Sequence, residues 1–245
     1  MGCAVPVLLL ACLSCGGIAQ GTEDEGEPFV KPATAPSAAT TLYLNFDGAH
    51  LQFSGKNDAA AGVTTLGDGP GPYQIAPTNL NRYVDAAAPS RAAVIEQIAR
   101  QVRAVYQPFD LDVVTERPAS GQFTMLSVGD TFNDIHFDET CPLAGLAVRD
   151  CDGQHAGDVG FAAAGCVSEL YDSAAARRVL ARTIAHEAGH TFGLTHNENE
   201  SSVMAPASEG LALSAGAVPP EDQASCGRTN QNDFAVLQRV LGLRQ

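Results

Sequence analysis

The sequence predicts a single mixed α/β (α+β) domain that extends from residue 41 to residue 245. Two observations predict it: short runs of β-forming residues alternate along the chain with long helical patterns, and 45% of the residues are hydrophobic. A chain of 245 residues forms one domain, or one domain and a tail, and this apolar content is enough for a full core.

The predicted elements follow one another as strand, helix, two strands, strand and two further helices. Strands are predicted at 41–46, 111–115, 123–128 and 158–163, and the helices after Ser90, after Ser173 and at about 232–241. Ser90 and Ser173 are good helix N-caps, and the first two helical patterns end before Pro108 and at Gly193. The Gly- and Pro-rich stretch that precedes residue 89 predicts a long surface loop.

The first 19 residues are typical of an export signal. Residues 5–13 are almost entirely apolar, and small residues follow them. Cleavage after Ala19 would release a secreted protein, whereas a lipoprotein signal would make Cys12 the site of a lipid anchor, and both alternatives stay open. Residues 20–40 are acidic and then rich in Pro, Ala, Ser and Thr, which predicts a disordered linker. The expected location is therefore secreted, or the cell surface as a lipoprotein.

The charge balance excludes some partners. The chain has 14 Lys and Arg against 28 Asp and Glu, a net charge of −14, so a nucleic-acid partner is not expected. No apolar run reaches the roughly 20 residues that a membrane-spanning helix needs.

Four cysteines remain in the predicted domain: Cys141, Cys151, Cys166 and Cys226. An even number of cysteines in an exported chain predicts two disulfides, and four cysteines allow three pairings. Of these pairings, Cys141–Cys151 with Cys166–Cys226 is the expected one.

One short segment predicts a metal site. His186 and His190 are one helical turn apart, so their side chains lie on the same face of the helix. Gly193 allows the backbone to leave the helix sharply, and His196 can then return to the same ion. Three imidazoles and an open fourth position form the pattern of a catalytic zinc site. Glu187 lies about 100° around the helix, within reach of a water on that ion.

The full pattern of three His, one Glu and one Gly should arise by chance in about 2 of 100,000 such chains. Met204 follows eight residues after His196, within Ser-Val-Met-Ala-Pro. This HExxHxxGxxH segment and its following Met-turn resemble the metzincin clan of zinc metallopeptidases. The residue after the third histidine helps to name families in that clan, and Asn197 assigns the chain to none of them.

The resemblance implies a fold and a set of roles. The fold is a twisted mixed sheet with a backing helix and an active-site helix, and a small C-terminal subdomain with one helix. His186, His190 and His196 would bind one catalytic Zn²⁺, and Glu187 would be the general base of a metalloendopeptidase acting on a peptide or protein substrate. Metzincins hold an extended peptide against an edge strand, for which 158–163 is the candidate.

Two other functions remain open. One is a catalytically silent, zinc-containing binding or adhesion module, and the other is a hydrolase of another amide, such as a cell-wall crosslink. Glu187 favours hydrolysis, because a module that only binds has no chemical need for this carboxylate.

Weaker patterns point to further metal sites. Asp150, Asp152 and Asp158 offer the oxygen ligands that Ca²⁺ prefers, although a solvated acidic loop is the favoured interpretation of these residues. His136, Asp138 and His155 are a candidate second zinc site.

Overall fold

The computed structural model describes residues 40–67, 71–131, 144–206 and 210–245. Within these residues the strands are β1 (Thr40–Asn45), β2 (Ala49–Phe53), β3 (Val63–Thr64), β4 (Tyr73–Ile75), β5 (Leu111–Val114), β6 (Thr124–Gly129), β7 (Gly145–Ala147), β8 (Val159–Ala163), β9 (Ala215–Ala217) and β10 (Asn230–Asn232). The α-helices are α1 (Arg91–Tyr106), α2 (Ala164–Leu170), α3 (Ser173–Thr191), α4 (Pro220–Cys226) and α5 (Asp233–Leu241). The predicted signal and linker lie outside the described residues.

A five-stranded mixed sheet with the order β5-β1-β6-β8-β7 forms the centre of the domain. The first four strands in that order are parallel, and β7 is antiparallel to β8. The predicted mixed α/β fold class is confirmed. The predicted edge strand at 158–163 is wrong, because β8 lies between β6 and β7, and among the described strands the two edges of the sheet are β5 and β7. With only three residues, β7 is too short to show a hydrophobic periodicity.

Alternate residues of β1 lie on opposite faces of this sheet. Leu42 and Leu44 lie in the core cluster that contains the buried residues of α1 and α3, whereas Tyr43 packs with Leu51 and Tyr73 on the opposite face. The opposite face is covered by the small sheet β3-β2-β4, in the region where a long surface loop was predicted. That prediction was wrong because strands of two to five residues between Gly and Pro leave little pattern in a sequence.

The caps of the two long helices explain where they begin. The Ser90 hydroxyl accepts a hydrogen bond from the backbone N–H of Ala93, as expected for the N-cap of α1. In α3 the cap is Asp172, whose carboxylate accepts from the N–H of Ala175, so the predicted cap Ser173 is instead the first helical residue. Both helices extend over the ranges that their apolar spacing predicts.

The C-terminal part differs from the architecture that the resemblance implies. It contains two helices, α4 and α5, together with the antiparallel pair β9–β10, instead of one helix. Asn232 caps α5 through its side chain, in agreement with the predicted helix near 232–241. Helix α4 has only seven residues, too few for a clear helical periodicity. Among all described residues, no helix combines the length and the apolar character that crossing a bilayer requires.

The disulfide pairing differs from the prediction. Cys151 bonds to Cys226, 75 residues further along the chain, which excludes both predicted pairs. Cys166 is also in a disulfide, and Cys141 lies outside the described residues. Sequence spacing favours near neighbours, whereas the fold brings α4 against the loop that follows β7.

Replacing both Cys151 and Cys226 by Ser is expected to lower the free energy of unfolding by about 4 kcal/mol, because the bond closes a long loop in the unfolded chain. Urea denaturation of the double variant and the parent, both without metal, measures the difference. A change below about 1 kcal/mol would show that the bond contributes little to the fold.

Candidate active site

The last two turns of α3 and the turn that follows carry the HExxHxxGxxH residues. His186, Glu187 and His190 are fully buried on α3, and His196 is 5% exposed. The helix ends at Gly193, whose φ of 88° is in the left-handed region that favours glycine. This turn returns the chain toward α3 and brings His196 beside the other two imidazoles.

The three imidazole rings form a compact cluster. Their ring centroids are 4.8 Å apart for His186 and His190, 5.2 Å for His186 and His196, and 5.0 Å for His190 and His196. Three ring nitrogens, one from each histidine, all lie within 4.8 Å of one another. The structure therefore brings together the three histidines that the sequence singles out.

Each imidazole is oriented by a hydrogen bond at Nδ1. The acceptors are the Val203 carbonyl for His186 (2.8 Å), the Leu194 carbonyl for His190 (2.8 Å) and the Asp222 carboxylate for His196. A carbonyl oxygen only accepts hydrogen bonds, so Nδ1 of His186 and of His190 carries the proton. The Nε2 atoms of these two rings are consequently left with their lone pairs.

The donor set fits zinc. Burial, together with the neighbouring imidazoles, lowers the pKa of His186 and of His190 well below the usual value, so both rings are neutral. Their Nε2 atoms are 3.2 Å apart, and two lone pairs at this distance repel unless a cation lies between them. Nitrogens that are each 2.0–2.1 Å from a tetrahedral zinc ion lie about 3.3 Å apart.

Glu187 is the second unusual group of the site. Its side chain is fully buried, and neither carboxylate oxygen has a hydrogen-bond partner among the described residues. Burial raises the pKa of Glu187 to about 8, against the opposing effect of the Arg182 and Arg149 charges. A buried carboxyl group without a partner costs free energy, and such groups are typical of functional sites.

The edge strand lies directly against this carboxyl group. A Cβ atom at Gly145, the first residue of β7, would be 2.4 Å from Oε1 of Glu187. The backbone of β7 therefore approaches Glu187 more closely than any residue with a side chain would allow.

The turn at Met204 packs under the active-site helix. A Cβ atom at Gly189 would lie 2.5 Å from Sδ of Met204, so the glycine makes room for the methionine. The N–H of Asn197 donates to the Met204 carbonyl (3.1 Å), which joins the segment after the third histidine to the Met-turn. The first imidazole is bonded to the same turn through Val203.

Sequence patterns did not point to Asp222 or Asp233. The fully buried Asp233 carboxylate accepts hydrogen bonds from Asn197 Nδ2, Gln231 Nε2, Ser202 Oγ and the Ser214 N–H. It thereby fixes the segment after His196 relative to the Met-turn. Apart from Gln231, the residues whose hydrogen bonds these two carboxylates accept are at least 19 residues away in sequence, and a one-dimensional motif does not reveal such contacts.

The structure gives no support to calcium at the Asp150 loop. One ligand atom each of Asp150, Asp152 and His155 lies within 4.8 Å of the others, but imidazole is not a ligand that Ca²⁺ prefers. Asp150 already accepts hydrogen bonds from the backbone and is paired with the ring of His155. Asp158 is buried, which raises its pKa to about 7. His136 and Asp138 of the candidate second zinc site lie outside the described residues.

Residues 120–226 match the sequence model of the Matrixin family (Peptidase_M10). The matched segment contains the three histidines, Glu187 and the turn at Met204. The match covers less than half of the chain, and it shows that this part is similar to the matrixins, a metzincin-clan family of zinc metallopeptidases.

Comparison with solved structures gives only distant similarities. Metalloproteinase-II from Bacteroides fragilis is 11% identical with a TM-score of 0.36, over 80% of this chain and 58% of that one. The chain thus spans little more than half the length of that protein. The ECX AB5 holotoxin in its GM1-bound form is 12% identical with a TM-score of 0.31, over 82% of this chain and 80% of that one. No curated protein sequence matches this chain.

Replacing Gly145 by Ala is expected to lower peptide hydrolysis by about 10- to 100-fold, because the added methyl group displaces the Glu187 carboxyl group. The zinc content should not change, since the three atoms nearest to the added Cβ all belong to Glu187 and none to an imidazole. Steady-state kinetics and metal analysis measure the two effects. Gly55→Ala is the matched control, because an added Cβ there meets nothing within 4 Å. Equal turnover of the two variants would contradict the prediction.

Proposed function

We propose that this protein is an exported zinc endopeptidase that hydrolyses internal peptide bonds of a peptide or protein substrate. The observation that carries the proposal is the convergence of three imidazoles next to a buried carboxyl group that has no hydrogen-bond partner among the described residues. A module that only binds its target would gain nothing from that group and would bear the cost of burying it.

His186, His190 and His196 would hold the zinc ion, because their nitrogens converge and their Nδ1 atoms are bonded to other groups. A zinc ion bound by three histidines supplies a water with a pKa near about 7 and polarises a carbonyl group. The hydrogen bonds at Nδ1 keep the ligand set in one orientation before any substrate binds.

Glu187 would move the proton. The positive charge of a bound zinc ion would lower the pKa of this carboxyl group and favour its ionised form. Its oxygens have no hydrogen-bond partner among the described residues, so either could then accept a proton from the attacking water. The protonated carboxyl group can then donate that proton to the nitrogen of the leaving amine. Burial excludes the bulk solvent that would otherwise compete for these oxygens.

The substrate would bind in extended form along β7. The sheet order places β7 at the edge, and its first residue, Gly145, contacts Glu187. A peptide that adds to this edge through main-chain hydrogen bonds would therefore pass close to the proposed general base. This arrangement favours a peptide over a substrate without an extended backbone.

Export is part of the proposal. The apolar residues 5–13 support a signal, with either free secretion or a lipid anchor at Cys12. The Cys151–Cys226 disulfide supports the same conclusion, because such bonds persist in oxidising compartments. Radiolabelled palmitate would label the full chain, and not a Cys12→Ser variant, if Cys12 is the anchor.

The proposed activity is tested with the zinc-loaded protein and a diverse peptide mixture, read by mass spectrometry. We expect cleavage at internal bonds that stops on addition of a chelator and is missing in Glu187→Gln. Absence of cleavage, or cleavage that a chelator does not affect, would overturn the proposal in favour of a binding module or another amide hydrolase.

A further inference from the structure

The third histidine of the cluster is held by a different kind of group from the other two. Nδ1 of His186 and of His190 contacts a backbone carbonyl, whereas Nδ1 of His196 contacts the Oδ2 atom of Asp222, 26 residues further along the chain. Asp222 lies on α4 and is 4% exposed. The orientation of His196 thus depends on a charged side chain from a separate element.

Asp222 is itself held from a second direction. Its other oxygen, Oδ1, pairs with Arg149 at 2.5 Å, and both side chains are largely buried. The same Arg149 nitrogen donates to the Ser225 hydroxyl at 2.7 Å, one turn further along α4. The carboxylate therefore bridges the guanidinium and the imidazole.

Arg149 belongs to the loop that follows the edge strand β7. Two residues later Cys151 bonds covalently to Cys226 at the end of α4, so the loop and the helix are joined twice. The N–H of Asp150, between these two residues, donates to the His190 carbonyl at 3.1 Å. One loop therefore contacts both the helix that carries the second imidazole and the helix that carries the carboxylate partner of the third.

We propose that Asp222 is a positioning residue for His196 and that Arg149 holds Asp222 in place. A carboxylate that accepts a hydrogen bond from a ligating imidazole fixes its tautomer and ring orientation, and it increases the basicity of the ligating nitrogen. The inference depends on zinc binding in the proposed function, but not on peptide hydrolysis.

The experiment measures zinc affinity by competition with a chromophoric chelator. Asp222→Asn, which keeps the shape and removes the charge, is expected to weaken zinc binding by about 10- to 100-fold. Glu221→Gln is the matched control, because it removes the same charge from the adjacent, exposed position of α4. The control should bind zinc within about twofold of the parent, as expected for an exposed charge.

A double-mutant cycle separates positioning from a structural role. If Asp222 acts through His196, adding Asp222→Asn to His196→Ala should not weaken zinc binding any further. A purely structural contribution would instead lower the stability of the metal-free protein and add to the effect of His196→Ala. Additive losses of affinity would overturn the proposal.

Asp222→Asn leaves the Arg149 charge buried without its partner, which can unfold the chain. The double variant Arg149→Met and Asp222→Asn removes both charges of the ion pair, so no buried charge is left unpaired and zinc affinity can still be measured. If this variant folds and binds zinc like the parent, Asp222 does not position His196. Peptide cleavage is measured separately, so a protein that binds zinc in this way but cleaves nothing would refute only the proposed function.

Discussion

Replacing Glu187 by Gln is expected to reduce peptide hydrolysis by at least about 100-fold while the protein keeps its zinc. A carboxamide cannot take the proton of the attacking water, and acid–base catalysis contributes at least this factor. The variant should also remain folded, since the carboxylate makes no hydrogen bond among the described residues that Gln would break. Initial rates with a cleaved peptide, together with elemental analysis for zinc, measure both quantities.

The control for this variant is Glu198→Gln, an exposed carboxylate two residues beyond the third histidine. It removes the same charge near the site and should leave turnover unchanged. If Glu187→Gln with a full complement of zinc hydrolyses peptides at the parent rate, Glu187 is not the base.

Replacing His196 by Ala is expected to weaken zinc binding by more than about 100-fold. The loss of affinity should exceed that caused by replacing Asp222, because replacing His196 removes a ligand, whereas replacing Asp222 only changes how a ligand is oriented. Competition with a chromophoric chelator measures the dissociation constant. The two remaining imidazoles would leave the ion with more exchangeable water, and turnover should fall with the metal.

His155→Ala is the matched control for the third histidine. The His155 side chain is 74% exposed and lies in the loop after β7, outside the imidazole cluster. Its loss should not change the zinc dissociation constant. Unchanged metal affinity in His196→Ala would remove that residue from the ligand set.

The parts of the fold that could be predicted are those that local patterns determine. Helices α1 and α3 are long, their apolar spacing is regular, and a side-chain cap precedes each of them. The convergence of His186 and His190 follows from one helical turn, and the return of His196 follows from a single glycine with positive φ. Each of these features depends on residues that are close together in the chain.

The parts that could not be predicted depend on distant contacts. The edge strand β7 has three residues and is defined by its pairing with β8. Asp222 contacts His196, 26 residues away, and Arg149, in the loop that follows β7. The sequence of α4 alone therefore does not indicate that Asp222 belongs to the site. The predicted disulfide pairing was wrong for the same reason, since the observed bond joins two cysteines that only the fold brings together.

The Cys151–Cys226 bond closes a covalent ring of polypeptide, and that ring contains β8, α2, α3, the Met-turn, β9 and α4. All three imidazoles, Glu187 and Asp222 lie within it. A single backbone cut by a protease at an exposed turn inside the ring would open the circle without releasing either piece. Damage of that kind leaves every group of the catalytic centre on one covalently connected unit.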